Sequence, residues 1–160
     1  IVDANEGWTI DYLELMVRHA VDAQVAMIEQ PLPAAADAAL THFDSPIPIG
    51  ADESVHDLLD LDEVASRYSV VNIKLDKTGG LTRALKLKDA CDARGLSVMI
   101  GCMVATSLSI IPAMMLTKGA RFVDLDGALL LARDRSPGLD YNSGRVTIPM
   151  GIWGDAACND

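Results

Sequence analysis

The sequence predicts an α/β protein built on a parallel sheet, and within that class a TIM-type (β/α)8 barrel rather than an open doubly wound sheet. Three observations carry this. Short apolar runs alternate with segments of helical periodicity, β then α, about five times, with one further strand. The runs are almost continuously apolar, as strands buried on both faces are. Finally, each ends on a polar residue. Asp3 follows Ile-Val, Glu29 follows Val-Ala-Met-Ile, Asp52 follows Ile-Gly-Ala and Lys74 follows Val-Val-Asn-Ile; Asp124 and Asp126 sit in Phe-Val-Asp-Leu-Asp. From Asp3 to Lys74 the steps are 26, 23 and 22 residues, one strand–loop–helix unit each. Many strand ends feeding one centre is the habit of a barrel. Six strands are legible, from about the third to the eighth, so the first ones would precede Ile1 in an otherwise incomplete barrel.

Taken in order, residues 2–5 read as a strand end. Thr9 can cap a helix from 10 to about 23 whose apolar face is Leu13, Met16, Val17 and Ala20. Residues 25–28 form a buried strand. Pro31 and Pro33 bar its continuation, and a short Ala-rich helix follows. Residues 47–51 are the next strand; Ser54 or His56 then precedes a helix over 57–67. Residues 70–75 are strongly β in character. Gly79-Gly80 makes a turn before an amphipathic helix over 81–94, which Gly95 ends. A strand over 96–100 leads to a helix running to about 118, with Pro112 marking a kink. Residues 121–125 are the last clear strand, and the tail from Pro137 carries the turn residues of a hairpin.

The 160 residues suffice for a core, and half are apolar, which excludes a disordered chain. A net charge of −10 argues against nucleic acid and against an anionic membrane surface as partners. Cys91, Cys102 and Cys158 are odd in number and scattered, which fits a reducing, cytoplasmic setting. Residues 96–116 are uncharged and long enough to cross a bilayer. Gly101 and Ala105-Thr106-Ser107 break that run where a βα loop is due, so it reads as a buried strand and helix.

Asp3, Glu29 and Asp52 are hard oxygen donors in phase. Such a set suits Mg²⁺, which keeps positions for water or substrate. Histidine is missing from comparable positions, which disfavours zinc. Taken singly, each acid reads first as a helix cap or a loop charge; it is the three in phase that read as a metal site. Lys74 on a buried strand is costly unless paired or functional. It reads as a general base, a Schiff-base lysine or a structural ion pair with Asp76; Lys77 reads as a solvated loop lysine. Asp124 and Asp126 face one way along their strand and so close together need a cation. That cation is a second metal, a substrate ammonium or a barrel Lys or Arg. Gly79-Gly80 reads as an anion cradle or a plain turn, and Cys102 and Met103 as pocket lining or packing.

These residues together resemble the enolase superfamily, in its muconate lactonizing subgroup. The resemblance rests on Asp3-Ala4-Asn5, Glu29-Gln30-Pro31-Leu32, Ala51-Asp52-Glu53-Ser54, Asn72-Ile73-Lys74-Leu75 with Gly79-Gly80, and Asp124-Leu125-Asp126-Gly127. It covers essentially the whole chain, and the motifs are specific in this order and spacing. The resemblance implies a (β/α)7β barrel with an N-terminal capping domain, which would lie, like the first barrel strands, outside residues 1–160. It implies Mg²⁺ on Asp3, Glu29 and Asp52, and a catalytic Lys74. It also implies a substrate site that includes Asn5, Cys102, Met103, Asp124 and Asp126. The Asp-x-Asp pair is similar to that of dipeptide epimerases, where it binds the α-ammonium group. The implied reaction is epimerisation of a dipeptide by 1,1-proton transfer at the carbon α to the carboxylate, through an enediolate. Its second lysine belongs to a Lys-x-Lys motif that this chain does not contain. After Cys102-Met103 many relatives carry an acid; here Val104-Ala105-Thr106 follows. o-Succinylbenzoate synthase and muconate cycloisomerase chemistry remain alternatives, and N-acylamino acid racemase is disfavoured because its substrate nitrogen is neutral. As an isolated segment the chain also reads as an inactive half-barrel. A homo-oligomer is left open.

Overall fold

The computed structural model describes residues 1–151. Six strands form one wholly parallel sheet in chain order: β1 (Val2–Asp3), β2 (Ile28–Glu29), β3 (Ile49–Ala51), β4 (Val70–Ile73), β5 (Ser97–Ile100) and β6 (Phe122–Val123). A doubly wound sheet would reverse its strand order at a switch point. The unbroken order β1 to β6 is that of a barrel wall, and the sheet is a half-barrel. The crossovers carry α1 (Ile10–Asp22), a 3-10 helix (Ala34–His42), α2 (Leu61–Ala65), α3 (Leu75–Thr78) with α4 (Leu81–Ala93), and α5 (Ser107–Met114). A 3-10 turn (Gly127–Leu130) leads to the hairpin β7 (Asp140–Asn142) and β8 (Arg145–Thr147), antiparallel as the tail's turn residues predict.

The two-residue period of the strands sorts their side chains into two layers. Ile28, Ile49, Val71, Ile73, Val98 and Ile100 face outward. They pack with Leu13 and Val17 of α1, Leu87 of α4 and Ile110 of α5 in the main core. Met27, Val70 and Met99 face the other way and form a separate small cluster with Phe122, the floor of the half-barrel lumen. Polar residues placed one step further along that inner face therefore project above this floor.

α1 follows its sequence pattern. Thr9 caps it, its Oγ1 accepting from the Tyr12 amide at 3.3 Å, and Leu13, Val17 and Ala20 are its buried face. Elsewhere local chemistry trims the expected elements. The helix expected over 57–67 is only Leu61–Ala65, because the Asp57 and Asp60 carboxylates accept from the amides of His56, Asp57 and Leu59 and hold that segment in turns. The strand expected from residue 25 begins at Ile28, since the Val25 amide still closes α1 through Ala20 O at 2.8 Å. The strand expected to reach Leu75 stops at Ile73; Lys74 O accepts from the amides of Lys77 and Thr78, making α3. The helix expected to reach 118 ends at Met114, two residues after Pro112. Gly79 and Gly80, both at positive φ, terminate α3, the Gly80 amide bonding Leu75 O; they form a turn.

The uncharged run splits into β5 and α5 as expected. Among the described residues no helix is long and apolar enough to cross a membrane. Cys91 and Cys102 are free thiols, and Cys158 lies outside the described residues.

Candidate active site

Strand register assembles the site. Asp3 on β1 pairs with Glu29 on β2, and Glu29 with Gly50 on β3. Asp52 lies two residues beyond Gly50, on the same face. Gly50 pairs with Val70, so Asn72 and Lys74 share that face; Asn72 pairs with Met99, two before Gly101. Met99 pairs with Phe122, two before Asp124. The C-terminal ends of five of the six strands, all but β3, thus line one cavity of about 150 Å³. Asp3, Glu29, Asn72, Lys74, Cys102, Met103, Asp124 and Asp126 line it, with Val104, Gly127 and Leu130. Two expected residues fall outside the lining. Asn5 instead serves Asp3: its amide donates to Asp3 Oδ1 at 2.8 Å and its Nδ2 to Oδ2 at 3.3 Å. Asp52 is buried and turned to lysines.

The cavity has two acidic ends. At one, burial pushes the Glu29 carboxyl up to about 7; the Asn72 amide, donating to Glu29 Oε1, pulls the other way, and the charges of Asp52 and Asp3 add to burial. At the other, burial and then the Asp126 charge raise the Asp124 carboxyl above its ordinary value. The Lys74 ammonium opposes both shifts, and its strand, β4, stands between β2 and β6 in the sheet. Burial, with Asp124 and Asp126, likewise raises the Cys102 thiol, so it stays protonated rather than acting as a nucleophile.

Lys74 pairs with Asp52 Oδ2, not with Asp76. Burial pulls its ammonium pKa down, but the Asp52 hydrogen bond and charge outweigh burial, and the net direction is up. Lys77 is not solvated, contrary to expectation. α3 folds it back so that its Nζ donates to Asp52 Oδ1 at 2.5 Å, to Asp52 O at 2.6 Å and to Asn72 O at 3.1 Å, leaving 14% of the side chain exposed. Burial lowers its pKa, with Asp52 opposing. With Asp52 so engaged, no three His, Cys, Asp or Glu side chains among the described residues converge as a ready metal cage.

Several contributors carried a signal that strand alternation could have exposed. Asn72 sits two residues before Lys74 on the same face. It depends on Gly101, where a Cβ would stand 2.5 Å from Asn72 Oδ1. Gly127 is required by backbone contact, since its Cβ would lie 2.3 Å from Met103 O. Gln30 was legible only as part of a motif. Its Oε1 accepts from the Asp52 amide at 2.8 Å and the Ser54 amide at 3.2 Å. Its Nε2 lies 2.7 Å from Ser54 Oγ and 3.0 Å from Tyr68 Oη. Both hydroxyls donate to buried Asp37, which Arg67 pairs at 2.6 Å. This network spans residues 30 to 68, and no local pattern announces it.

A half-barrel with acids on three neighbouring strand ends, a lysine next and an acidic pair last defines a class of protein. The chain belongs to the family described as enolase C-terminal domain-like, whose signature matches residues 1–152. It is 48% identical over 157 residues to the N-acetyl-D-glutamate racemase of a Pseudoalteromonas species, covering 98% of this chain and 50% of that one. It is 49% identical over 146 residues to the L-Ala-D/L-Glu epimerase of Escherichia coli K12, covering 91% and 46%. Among solved structures, an enolase family member from Agrobacterium tumefaciens with homology to dipeptide epimerases, bound to sodium and L-Ala-L-Glu, matches with a TM-score of 0.87 at 50% identity. The match covers 90% of this chain and 44% of that one. A dipeptide epimerase from Methylococcus capsulatus, 32% identical with a TM-score of 0.85, carries Mg and L-Arg-D-Lys; the match covers 92% and 44%. The chain spans about half the length of the curated relatives it matches.

Proposed function

We propose that the chain is the C-terminal barrel part of a Mg²⁺-dependent dipeptide epimerase, which inverts the carbon α to the substrate carboxylate by 1,1-proton transfer. One observation carries this reading: a single cavity lined by Asp3 and Glu29 from β1 and β2, by Asp124 and Asp126 after β6, and by Lys74 at the end of β4, which stands between them in the sheet. A dipeptide has the matching poles, a carboxylate and an α-ammonium group. The donors fit Mg²⁺. They are hard carboxylates, and the burial that raises the Glu29 pKa, with the Asp52 and Asp3 charges adding to it, is a cost to its charged form that a cation would relieve. Asp3, Glu29 and, once Lys74 releases it, Asp52 would hold it. Bound there, Mg²⁺ would take the substrate carboxylate and stabilise the enediolate charge that builds as the α-proton leaves.

This chain's residues do the rest. Asp124 and Asp126 hold the ammonium and fix the α-carbon over the sheet. Lys74, on the strand between the two ends, exchanges a proton with one face of that carbon. A lysine from the preceding part of the polypeptide serves the other face. Similarity to an N-acetyl-D-glutamate racemase supports a second reading with the same proton transfer. An acylated nitrogen is neutral, so the two aspartates favour the dipeptide.

The test uses the complete polypeptide with Mg²⁺ in D₂O. Metal-dependent deuterium uptake and inversion at a dipeptide α-carbon are expected, and Lys74→Ala abolishes inversion while Mg²⁺ still binds. Uptake only with N-acetylated amino acids selects the racemase reading. Unchanged inversion in Lys74→Ala removes Lys74 from the mechanism.

A further inference from the structure

We infer that Lys77 is a positioning residue, fixing Asp52 so that one carboxylate oxygen stays available to the cavity when Lys74 lets go of it. The inference rests on the proposed reading of Asp52 as a cation ligand. Lys74 and Lys77 are three residues apart, and the single turn of α3 brings both ammonium groups to one carboxylate. Their placements differ. Lys74 lines the cavity and holds Oδ2; Lys77 does not line it and holds Oδ1. An ammonium group has three N–H bonds. Those of Lys77 go to Asp52 Oδ1, Asp52 O and Asn72 O, so none is left for a substrate. The two carbonyls belong to the ends of adjacent strands, so Lys77 also ties β3 to β4. On the other side the Asp52 amide is held by Gln30. Asp52 is thus clamped at its amide, its carbonyl and its outer oxygen by groups the chemistry does not consume. Only its link to Lys74 is free to exchange for a cation.

The experiment measures binding of Mg²⁺ alone by isothermal titration calorimetry to the complete polypeptide and to Lys77→Met, Asp52→Asn and the double variant. Loss of a group that orients a metal ligand weakens the metal on the order of 10–100-fold, and Lys77→Met is expected to do so. In the Asp52→Asn background the same substitution adds less than about twofold, because its effect runs through Asp52. Equal or tighter Mg²⁺ binding by Lys77→Met, as removal of a mere like charge would give, overturns the inference. So does an undiminished loss in the Asp52→Asn background. If Asp52→Asn alone binds Mg²⁺ like the parent, the ligand reading of Asp52 fails first and takes this inference with it. Should circular dichroism show that Lys77→Met does not fold, Lys77→Gln, which keeps donors for the two carbonyls, is held to the same outcomes.

Discussion

Glu29 sits 4% exposed across from Asp3 on the neighbouring strand and close enough to feel the Asp52 charge, with one amide donor from Asn72. In the metal-free protein its carboxyl rises from 4.5 to about 7. The folded state therefore binds this proton more tightly than the unfolded chain does. The sign follows: this contribution is flat below the unfolded pKa, and stability falls as pH rises from there through about 7. At about 1.4 kcal/mol per pKa unit the loss is on the order of 3 kcal/mol at most. With chelator present, the complete protein is expected to melt higher at about pH 5 than at about pH 8 from this source. Glu29→Gln should flatten the difference and stabilise the metal-free protein at the higher pH, while Mg²⁺ binding is lost. Thermal melts at both pH values check this; an unaltered pH trend in Glu29→Gln would place its origin elsewhere. The acid itself was legible in the sequence from its strand-end position. Its shifted proton affinity was not, because that comes from burial first and then from the charges of Asp52 and Asp3 on neighbouring strands, with Asn72, 43 residues away, opposing it.

At the scale of elements, short pieces carry much of the site's order. The 3-10 helix contributes Asp37, whose carboxylate joins Arg67, Tyr68 and Ser54, and through Gln30 reaches the backbone of Asp52. Removing one partner of a buried pair leaves the other uncompensated and costs about 3–5 kcal/mol. Asp37→Ala is therefore expected to lower stability by about that much, read from the denaturant midpoint. A change within about 0.5 kcal/mol, as at an ordinary surface site, would mean the network does not hold the β3 end. α3 is the other short element. Residues 70–77 read as a strand running into a solvated loop, but four residues of helix make Lys77 a buried partner of Asp52. Pattern rules identify long periodic elements such as α1 and α4, whereas a single turn is decided by which carbonyls and carboxylates stand nearby.

For the whole molecule, the outer edges of β1 and β6 have no strand partner among the described residues. Near the β6 edge Val104, Val123, Leu129 and Leu130 are exposed. Unpaired strand edges beside apolar surface invite association. An isolated Ile1–Asp160 polypeptide is expected to self-associate, seen by light scattering, and to give no dipeptide inversion by chiral chromatography. Inversion by that segment would show that one face of the substrate carbon needs no base from elsewhere.

Sequence alone determined the strand order and the residues that cap each strand, because apolar runs alternating with segments of helical period, and the spacing of polar strand ends, are local, one-dimensional properties. It also carried the family, since Asp3, Glu29, Asp52, Lys74 and the Asp124–Asp126 pair keep their order along the chain. Only the tertiary structure decided what these groups meet. Parallel register sets Asp3 against Glu29 and points both into one cavity. Asn5 turns to Asp3, Asp52 turns from the cavity to two lysines, and Gln30 and Asn72 become its supports. Those outcomes depend on distance and burial between strands that are 20 or more residues apart, where charge, hydrogen bonding and desolvation act through space and leave no periodic trace in the chain.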